Sequence, residues 1–402
     1  MTVTLRLPTV PTLFEAPVVE ESEGCIQCQM GSKLVLFITG KCHWKCDYCP
    51  LSENRREAEV MFANERRCTT FDEVIEEAHA MRATGAGITG GDPLMDREHT
   101  LEGIRRLRQE FGPSFHMHMY TSIPFKQEYA VDFAEAGLDE IRFHLLDLEI
   151  EQYSDVISAC SKAGLATGIE IPCEPDRSED LFGILEKMRD MDLEFLNLNE
   201  LEITVGNHGN METRGFNLSD EITAGAAGSS ELAILLRDRV AAASIGAPDP
   251  IDGEVREPYG FHLKFCTAVY KDAGQLRSRF LRRGEATISP HEILTEDGTL
   301  IFGIIECEPA DSEGYINEIM EETGLPRRFL YYDEEMKRIE LPLSTAEEIS
   351  DYVDAPVAFV EVHPTHERLE MTIVYLNKDQ RDASGESLSL IHISEPTRLR
   401  HI

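Results

Sequence analysis

The apolar positions in the first half of the chain fall into two alternating rhythms. Short apolar or period-two runs occupy residues 34–40, 85–90, 115–121, 140–144, 167–171 and 195–199. Between them, apolar residues recur at helical spacing over 71–81, 101–111, 129–135, 156–162 and 181–188. The first pattern is that of strands, the second of helices with one apolar face. The punctuation agrees. Thr69 or Thr70 is an N-cap for 71–81, Gly137 and Gly164 close two of the helices, and Pro172 closes the fifth strand. Six strands separated by helices predict an α/β fold with a parallel sheet and right-handed crossovers.

The rhythm breaks near residue 207. Residues 207–290 read as a helical extension, with a helix over 230–243 and a basic helix bearing Arg277, Arg279, Arg282 and Arg283 that ends at Gly284. In so acidic a chain these arginines suit acidic loops of the strand–helix region or an anionic substrate. Residues 295–378 predict a small α+β domain, with strands at 300–305, 328–332, 337–341, 357–362 and 370–375 and helices at 313–322 and 345–352. Residues 1–33 form an N-terminal arm. The polar tail 379–402 is disorder-prone, and 388–398 resembles the translation of a sequencing adapter, so it is excluded from fold reasoning.

Composition narrows the class. The chain has 402 residues, 74 acidic and 38 basic, for a net charge of −36, and only ten of the basic residues are lysines. Self-repulsion at that charge weakens a compact state unless salt screens it. Acidic, lysine-poor chains of this kind resemble proteins of salt-in halophiles such as haloarchaea. A basic face for nonspecific nucleic-acid or anionic-membrane binding is not expected. No apolar run is long enough for a membrane helix, no signal-peptide pattern opens the chain, and ten cysteines gathered near motifs suit a reducing cytoplasm.

The chemistry concentrates after the first strand. Cys42, Cys46 and Cys49 lie in a C-x3-C-x2-C loop with Tyr48 before the last thiol. Soft thiolates suit iron–sulfur clusters and zinc. Three thiolates on one loop leave one iron of a cubane open, which reaction chemistry needs. Gly90-Gly91-Asp92-Pro93 ends the second strand. Its glycines permit close backbone approach, and its carboxylate offers a charge-assisted acceptor for an ammonium group. A zinc reading competes: Cys25-x2-Cys28 with Cys46-x2-Cys49 has four-cysteine spacing, but it leaves Cys42 idle. A second metal, zinc or iron–sulfur, is also expected where Cys25 and Cys28 meet His262 and Cys266, on the view that the last two share a helix face.

This arrangement resembles the radical S-adenosylmethionine (radical SAM) superfamily, and specifically an uncharacterised archaeal group related to pyruvate formate-lyase activating-enzyme-like proteins. The resemblance covers roughly residues 20–305. Beyond the two motifs it rests on Ala63-Asn64-Glu65-Arg66, Gly137-Leu138-Asp139-Glu140-Ile141-Arg142-Phe143-His144, Asn197-Leu198-Asn199-Glu200-Leu201-Glu202 and Lys271-Asp272. It implies a partial (β/α)6 barrel, a [4Fe-4S] cluster on Cys42, Cys46 and Cys49, and S-adenosyl-L-methionine on the open iron. Tyr48 would then pack near the adenine, Asp92 would take the methionyl ammonium, and Arg142, His144, Glu170 and Asn199 at strand ends would line the cofactor. It also implies an electron donor such as ferredoxin or flavodoxin, and reductive cleavage of SAM to a 5′-deoxyadenosyl radical that takes hydrogen from a small-molecule or peptide substrate. A non-catalytic zinc- or iron–sulfur-binding interaction protein is the alternative.

Overall fold

The computed structural model describes residues 21–220 and 223–377. The expected tail and its adapter-like stretch, and residues 1–20 of the arm, lie outside the described residues. The chain runs α1 (Glu23–Gln29), β1 (Lys33–Phe37), β2 (Met61–Ala63), β3 (Arg66–Cys68), α2 (Phe71–Ala80), β4 (Gly85–Thr89), α3 (Arg97–Phe111), β5 (His116–Thr121), α4 (Glu128–Ala136), β6 (Glu140–Phe143), α5 (Ser154–Lys162), β7 (Ala166–Cys173), α6 (Ser178–Met188) and β8 (Phe195–Glu200). It continues through α7 (His208–Thr213), α8 (Ser229–Ser244), β9 (His262–Cys266), a π-helical stretch (Tyr270–Leu276) and α9 (Arg277–Thr287). The last region holds β10 (Ile293–Leu294), β11 (Leu300–Glu306), α10 (Pro309–Thr323), β12 (Tyr331–Asp333), β13 (Arg338–Leu341), α11 (Leu343–Ile349), β14 (Val357–Val362) and β15 (Glu370–Tyr375).

The first sheet has the order β3-β2-β1-β4-β5-β6-β7-β8-β9, parallel from β1 onward, with β2 and β3 added antiparallel at the β1 edge. The six predicted strands are present, and β9 adds a seventh parallel strand inside the stretch expected to be helical. Two smaller expectations also fail. β7 runs through Pro172, which sits in register with Asn199, and α9 runs through Gly284, which packs on Leu294 rather than capping the helix. The basic residues of α9 serve as ties. Arg283 pairs with buried Glu77 of α2 at 2.8 Å and donates to the Pro364 carbonyl, while Arg279 pairs with Glu65. The C-terminal region forms a separate antiparallel sheet, β12-β13-β11-β14-β15, with β10 on β11. Apolar clusters cover both of its faces, α10 and α11 contributing to one of them.

Strand alternation divides the barrel residues into two sets. Leu34, Leu36, Ile88, Met117, Met119, Ile141, Phe143, Ile169, Ile171, Leu196 and Leu198 face outward into the helix layer and form the core. The opposite face lines the lumen and is polar. Arg142, 2% exposed, lies at its centre. Its guanidinium donates to Glu140 (2.5 Å), Glu170 (2.7 Å), the Tyr120 hydroxyl (3.2 Å), Ser22 Oγ (3.3 Å) and Cys25 Sγ (3.6 Å). Burial alone would lower its pKa, but Tyr120, Glu140 and Glu170 hold it well above the usual value. Deeper still, Lys33 Nζ donates to Nδ1 of His116 (2.8 Å) and of His118 (2.9 Å), and His118 Nε2 lies 3.1 Å from the Tyr120 hydroxyl. Burial brings Lys33 down to about 8. Burial with nearby Lys33 takes His116 down to about 4, and burial with Arg142 and Lys33 takes His118 well below the usual imidazole value.

The short helix α1 docks on this floor. Ser22 caps it, and Gly24 N donates to Glu140 at 3.2 Å. A Cβ on Gly24 would lie 2.5 Å from Arg142 Nη2 and 2.8 Å from both Glu140 oxygens, so only glycine admits the contact. Gly24→Ala is therefore expected to destabilise the fold by about 1–3 kcal/mol, the usual cost of overpacking, read as a lower denaturant midpoint and faster proteolysis ahead of β1. The two histidines give the lumen a pH signature. Both are neutral when folded but take protons near 6.5 when unfolded, so the unfolded state gains protons first as pH falls. The stability they support is complete above about 6.5 and is lost toward pH 4. Denaturation at pH 7.5 and 5.5 is expected to show the loss, and His118→Gln to shrink it by up to about 1.4 kcal/mol per pH unit. An unchanged slope would contradict this assignment.

Candidate active site

One cavity of about 530 Å³ runs from the loop after β1 down to the α1 floor. Cys42, Cys46 and Cys49 line its upper end and are half-buried. The loop carrying them is held from several sides. Gly91 N donates to Thr39 O at 2.7 Å and Asp92 N to Lys41 O at 2.8 Å, so the end of β4 clamps the start of the loop. Cβ atoms on Gly90 and Gly91 would lie 2.5 Å from Thr39 O and 2.3 Å from Lys41 O. The glycine pair thus serves this strand–loop contact. Arg56 donates to Cys49 O at 3.0 Å and Leu51 O at 3.1 Å, and Asn207 to Tyr48 O at 2.8 Å.

Asp92 is bonded to the end of the neighbouring strand. It is 1% exposed, and its carboxylate accepts from Leu94 N (3.0 Å), Thr121 Oγ1 (3.0 Å), Ser122 N (2.8 Å) and Ser122 Oγ (2.8 Å). Its oxygens join the ends of β4 and β5. Pro93 starts the 3-10 turn that follows. Arg142 is not free, since its nitrogens are spent in the floor network. Glu170 is held below the usual carboxylate range despite burial by Arg142, Asn199 and Asn197; Asn199 donates to Oε1 at 2.9 Å and Asn197 to Oε2 at 3.0 Å. These residues shape and charge the wall, while the groups that remain open lie elsewhere.

Tyr48 and His144 form a pair over the cavity. The Tyr48 hydroxyl lies 2.7 Å from His144 Nε2, with ring centroids 5.7 Å apart, and His144 Nδ1 lies 3.2 Å from Glu170 O. Burial lowers His144 and raises Tyr48, so both are neutral. This assigns the imidazole proton to Nδ1, donating to the carbonyl, with Nε2 accepting from the phenol. Tyr48 also packs on Leu201, Ile203, Met211 and Ala226, which fixes the aromatic side chain next to the last thiol.

Among the described residues no three His, Cys, Asp or Glu side chains converge on a single ion position. Cys42, Cys46 and Cys49 stand on one loop at the mouth of the cavity, a donor set that suits a cubane, where each thiolate takes a different iron. The proposed quartet is not assembled: Cys25, Cys28 and Cys266 line the cavity, but His262 stacks on Phe195 at 5.7 Å. His262 and Cys266 lie on a strand, so four residues separate them by about 13 Å. Burial raises the thiols at the upper end, Cys42 among them and Cys46 to about 12. A bound metal would remove those protons outright.

Sequence reasoning passed over Lys33, His116, His118, Tyr120 and Lys264, and gave Lys271 a place in the resemblance but no site role; all lie on or beside the lumen. Three were legible: once Met117 and Met119 are taken as core, the same alternation turns His116, His118 and Tyr120 inward. Lys271 lies in the π-helical stretch and pairs with Glu202 at 2.8 Å.

Both regions of the chain have known relatives. The Radical SAM superfamily matches residues 36–213, and a domain of unknown function (DUF8061) matches residues 298–374. A protein of Methanocaldococcus jannaschii, provisionally named as a glycyl-radical enzyme activating enzyme, is 35% identical over 371 residues, covering 87% of this chain and 91% of that one. Biotin synthase of Paramagnetospirillum magneticum is 29% identical over 157 residues, covering 38% and 46%. Among solved structures, the radical S-adenosylmethionine methyltransferase TsrM of Kitasatospora setae aligns with TM-score 0.35 and 14% identity, covering 67% of this chain and 56% of that one. The chain belongs to the radical SAM superfamily, enzymes whose chemistry rests on a [4Fe-4S] cluster and S-adenosylmethionine.

Proposed function

We propose that Cys42, Cys46 and Cys49 hold the cluster and that the cavity below them binds S-adenosylmethionine and a substrate from which hydrogen is removed. When bound and reduced, the cluster supplies the electron that cleaves S-adenosylmethionine to methionine and a 5′-deoxyadenosyl radical. The protein contributes position and surroundings. The β4 clamp, Arg56 and Asn207 fix the loop, Tyr48 would offer a flat apolar surface to a group bound beside the last thiol, and the buried walls would keep bulk water from it. The observation that carries this reading is that three thiols of one loop line the mouth of a cavity running the depth of the barrel.

The Methanocaldococcus relative suggests a substrate class, a glycine α-carbon of a partner protein. A small molecule or free peptide is the competing class. An external one-electron donor such as ferredoxin or flavodoxin completes the cycle in either case. Assignment to a reducing, salt-rich cytoplasm also belongs to this reading and is supported by cysteine usage and charge.

Anaerobic reconstitution at high salt tests it. The wild type is expected to take up a full cubane complement of iron and sulfide and, with dithionite, to convert S-adenosylmethionine to methionine and 5′-deoxyadenosine. Replacing Cys42, Cys46 and Cys49 together by alanine should abolish both. A wild-type protein that binds one zinc tightly and makes no 5′-deoxyadenosine would defeat the proposal in favour of an interaction protein.

A further inference from the structure

Three thiols in the cavity lie outside the cluster loop: Cys25 and Cys28 on α1, and Cys266 at the end of β9. Both elements are additions to the six predicted strand–helix units, so the thiols are brought in by what this chain adds to the barrel. They differ in setting. The Cys25 sulfur accepts from Arg142 at 3.6 Å and from Asn197 Nδ2 at 3.3 Å, which binds it into the floor. Cys28 follows one turn later on α1. Cys266 is only half-buried and sits at the carboxyl end of a parallel strand, in register with Asn199, where reactive groups of such barrels gather. Burial pushes its thiol up to about 12, so it carries its hydrogen at any physiological pH.

The neighbouring wall is built for a ligand. Asn197 is 1% exposed and lines the cavity. Its Nδ2 donates to Glu170 and Cys25, and because ionised Glu170 only accepts, the amide orientation is fixed. Its Oδ1 is buried with no partner. A buried acceptor left unpaired is costly, and an incoming N–H would satisfy it. The charges around it, Lys264 with Glu21, Lys271 with Glu202 and Arg142 with Glu140 and Glu170, are already paired. The wall therefore suits an uncharged amide better than an anion.

We propose that Cys266 relays the radical to a substrate carbon adjacent to an amide or amine nitrogen, whose N–H is received by Asn197 Oδ1. This rests on the function proposed above. In the first step the Cys266 S–H bond breaks homolytically and its hydrogen joins the 5′-deoxyadenosyl carbon, giving 5′-deoxyadenosine and a thiyl radical. In the second step the thiyl takes hydrogen from the substrate C–H, which re-forms the thiol and leaves the radical on the substrate. No further oxidant or reductant enters. The order is favourable because an S–H bond is weaker than a primary C–H bond. A C–H beside nitrogen and carbonyl is weaker again than an ordinary one, and that is the class of carbon the Asn197 acceptor selects.

The test needs no identified substrate. Reconstituted protein in D2O is given S-adenosylmethionine and titanium(III) citrate, with no added thiol. The wild type is expected to make 5′-deoxyadenosine carrying deuterium, because the thiol hydrogen exchanges with solvent. Cys266→Ala and Cys266→Ser should still make 5′-deoxyadenosine but lose that deuterium, while Cys28→Ala keeps it. Independently of turnover, S-adenosylhomocysteine at about ten times its Kd should slow iodoacetamide labelling of Cys266 about tenfold in the wild type, as simple occupancy gives. Unlabelled 5′-deoxyadenosine from the wild type, or deuterium that persists without Cys266 or vanishes only in Tyr120→Phe, overturns the relay and leaves the proposed function standing. Absence of 5′-deoxyadenosine from a fully reconstituted wild type overturns both.

Discussion

A guanidinium buried in the barrel lumen organises this protein. Arg142 is almost fully enclosed, and removing a cation from water is tolerable only if its charge and its N–H groups are answered. Glu140 and Glu170 answer the charge, and Tyr120, Ser22 and Cys25 take the remaining hydrogens. Each of those partners is thereby fixed. Glu140 holds α1 through Gly24, Glu170 orients Asn197 and Asn199, and Tyr120 connects to His118 and Lys33. Removing one carboxylate would strand a buried charge, so the lumen behaves as one unit rather than as separate contacts.

The upper end of the cavity is governed by backbone proximity. The cysteine loop is pressed against the end of β4 so closely that side chains at residues 90 and 91 would collide with carbonyl oxygens. The Gly-Gly-Asp-Pro sequence therefore reads as a mechanical element: two glycines for approach, two N–H groups to grip the loop, and a carboxylate turned inward to join β5. Sequence alone marked the carboxylate as a ligand group and left its protein partners unseen. The deciding partners, Thr121 and Ser122, are some thirty residues away in the chain.

Much of the barrel was legible because its strands are buried on their outer face and announce themselves by period two. The six strands and their helices appear nearly where the apolar rhythm put them, and the Thr70 capping box, the Gly137 cap and the boundaries of α5 follow local rules. β9 escaped because a long insertion separates it from β8 and, at five residues, its alternation of His262, Lys264 and Cys266 with Leu263 and Phe265 is too short to stand out from the helical stretches around it. The same mistake placed His262 beside Cys266, as helix neighbours rather than at opposite ends of a strand. The cysteine loop was the clearest part of the site because its ligands are local. The lumen network was the least clear because it joins α1 to β6, β7 and β8 across most of the barrel.

The fold thus delivers two layers of chemistry to one cavity: a cysteine loop at the top, held by strand ends, and a charge-balanced polar floor below, closed by α1. The proposed function turns on three thiolates that leave one iron for S-adenosylmethionine. Its most direct test is electron paramagnetic resonance of the reduced, reconstituted protein mixed with S-adenosylmethionine labelled with nitrogen-15 at the methionyl amine. The cluster signal is expected to change on addition and to carry hyperfine coupling to the label. A cluster signal unaffected by S-adenosylmethionine, with no coupling, would contradict it.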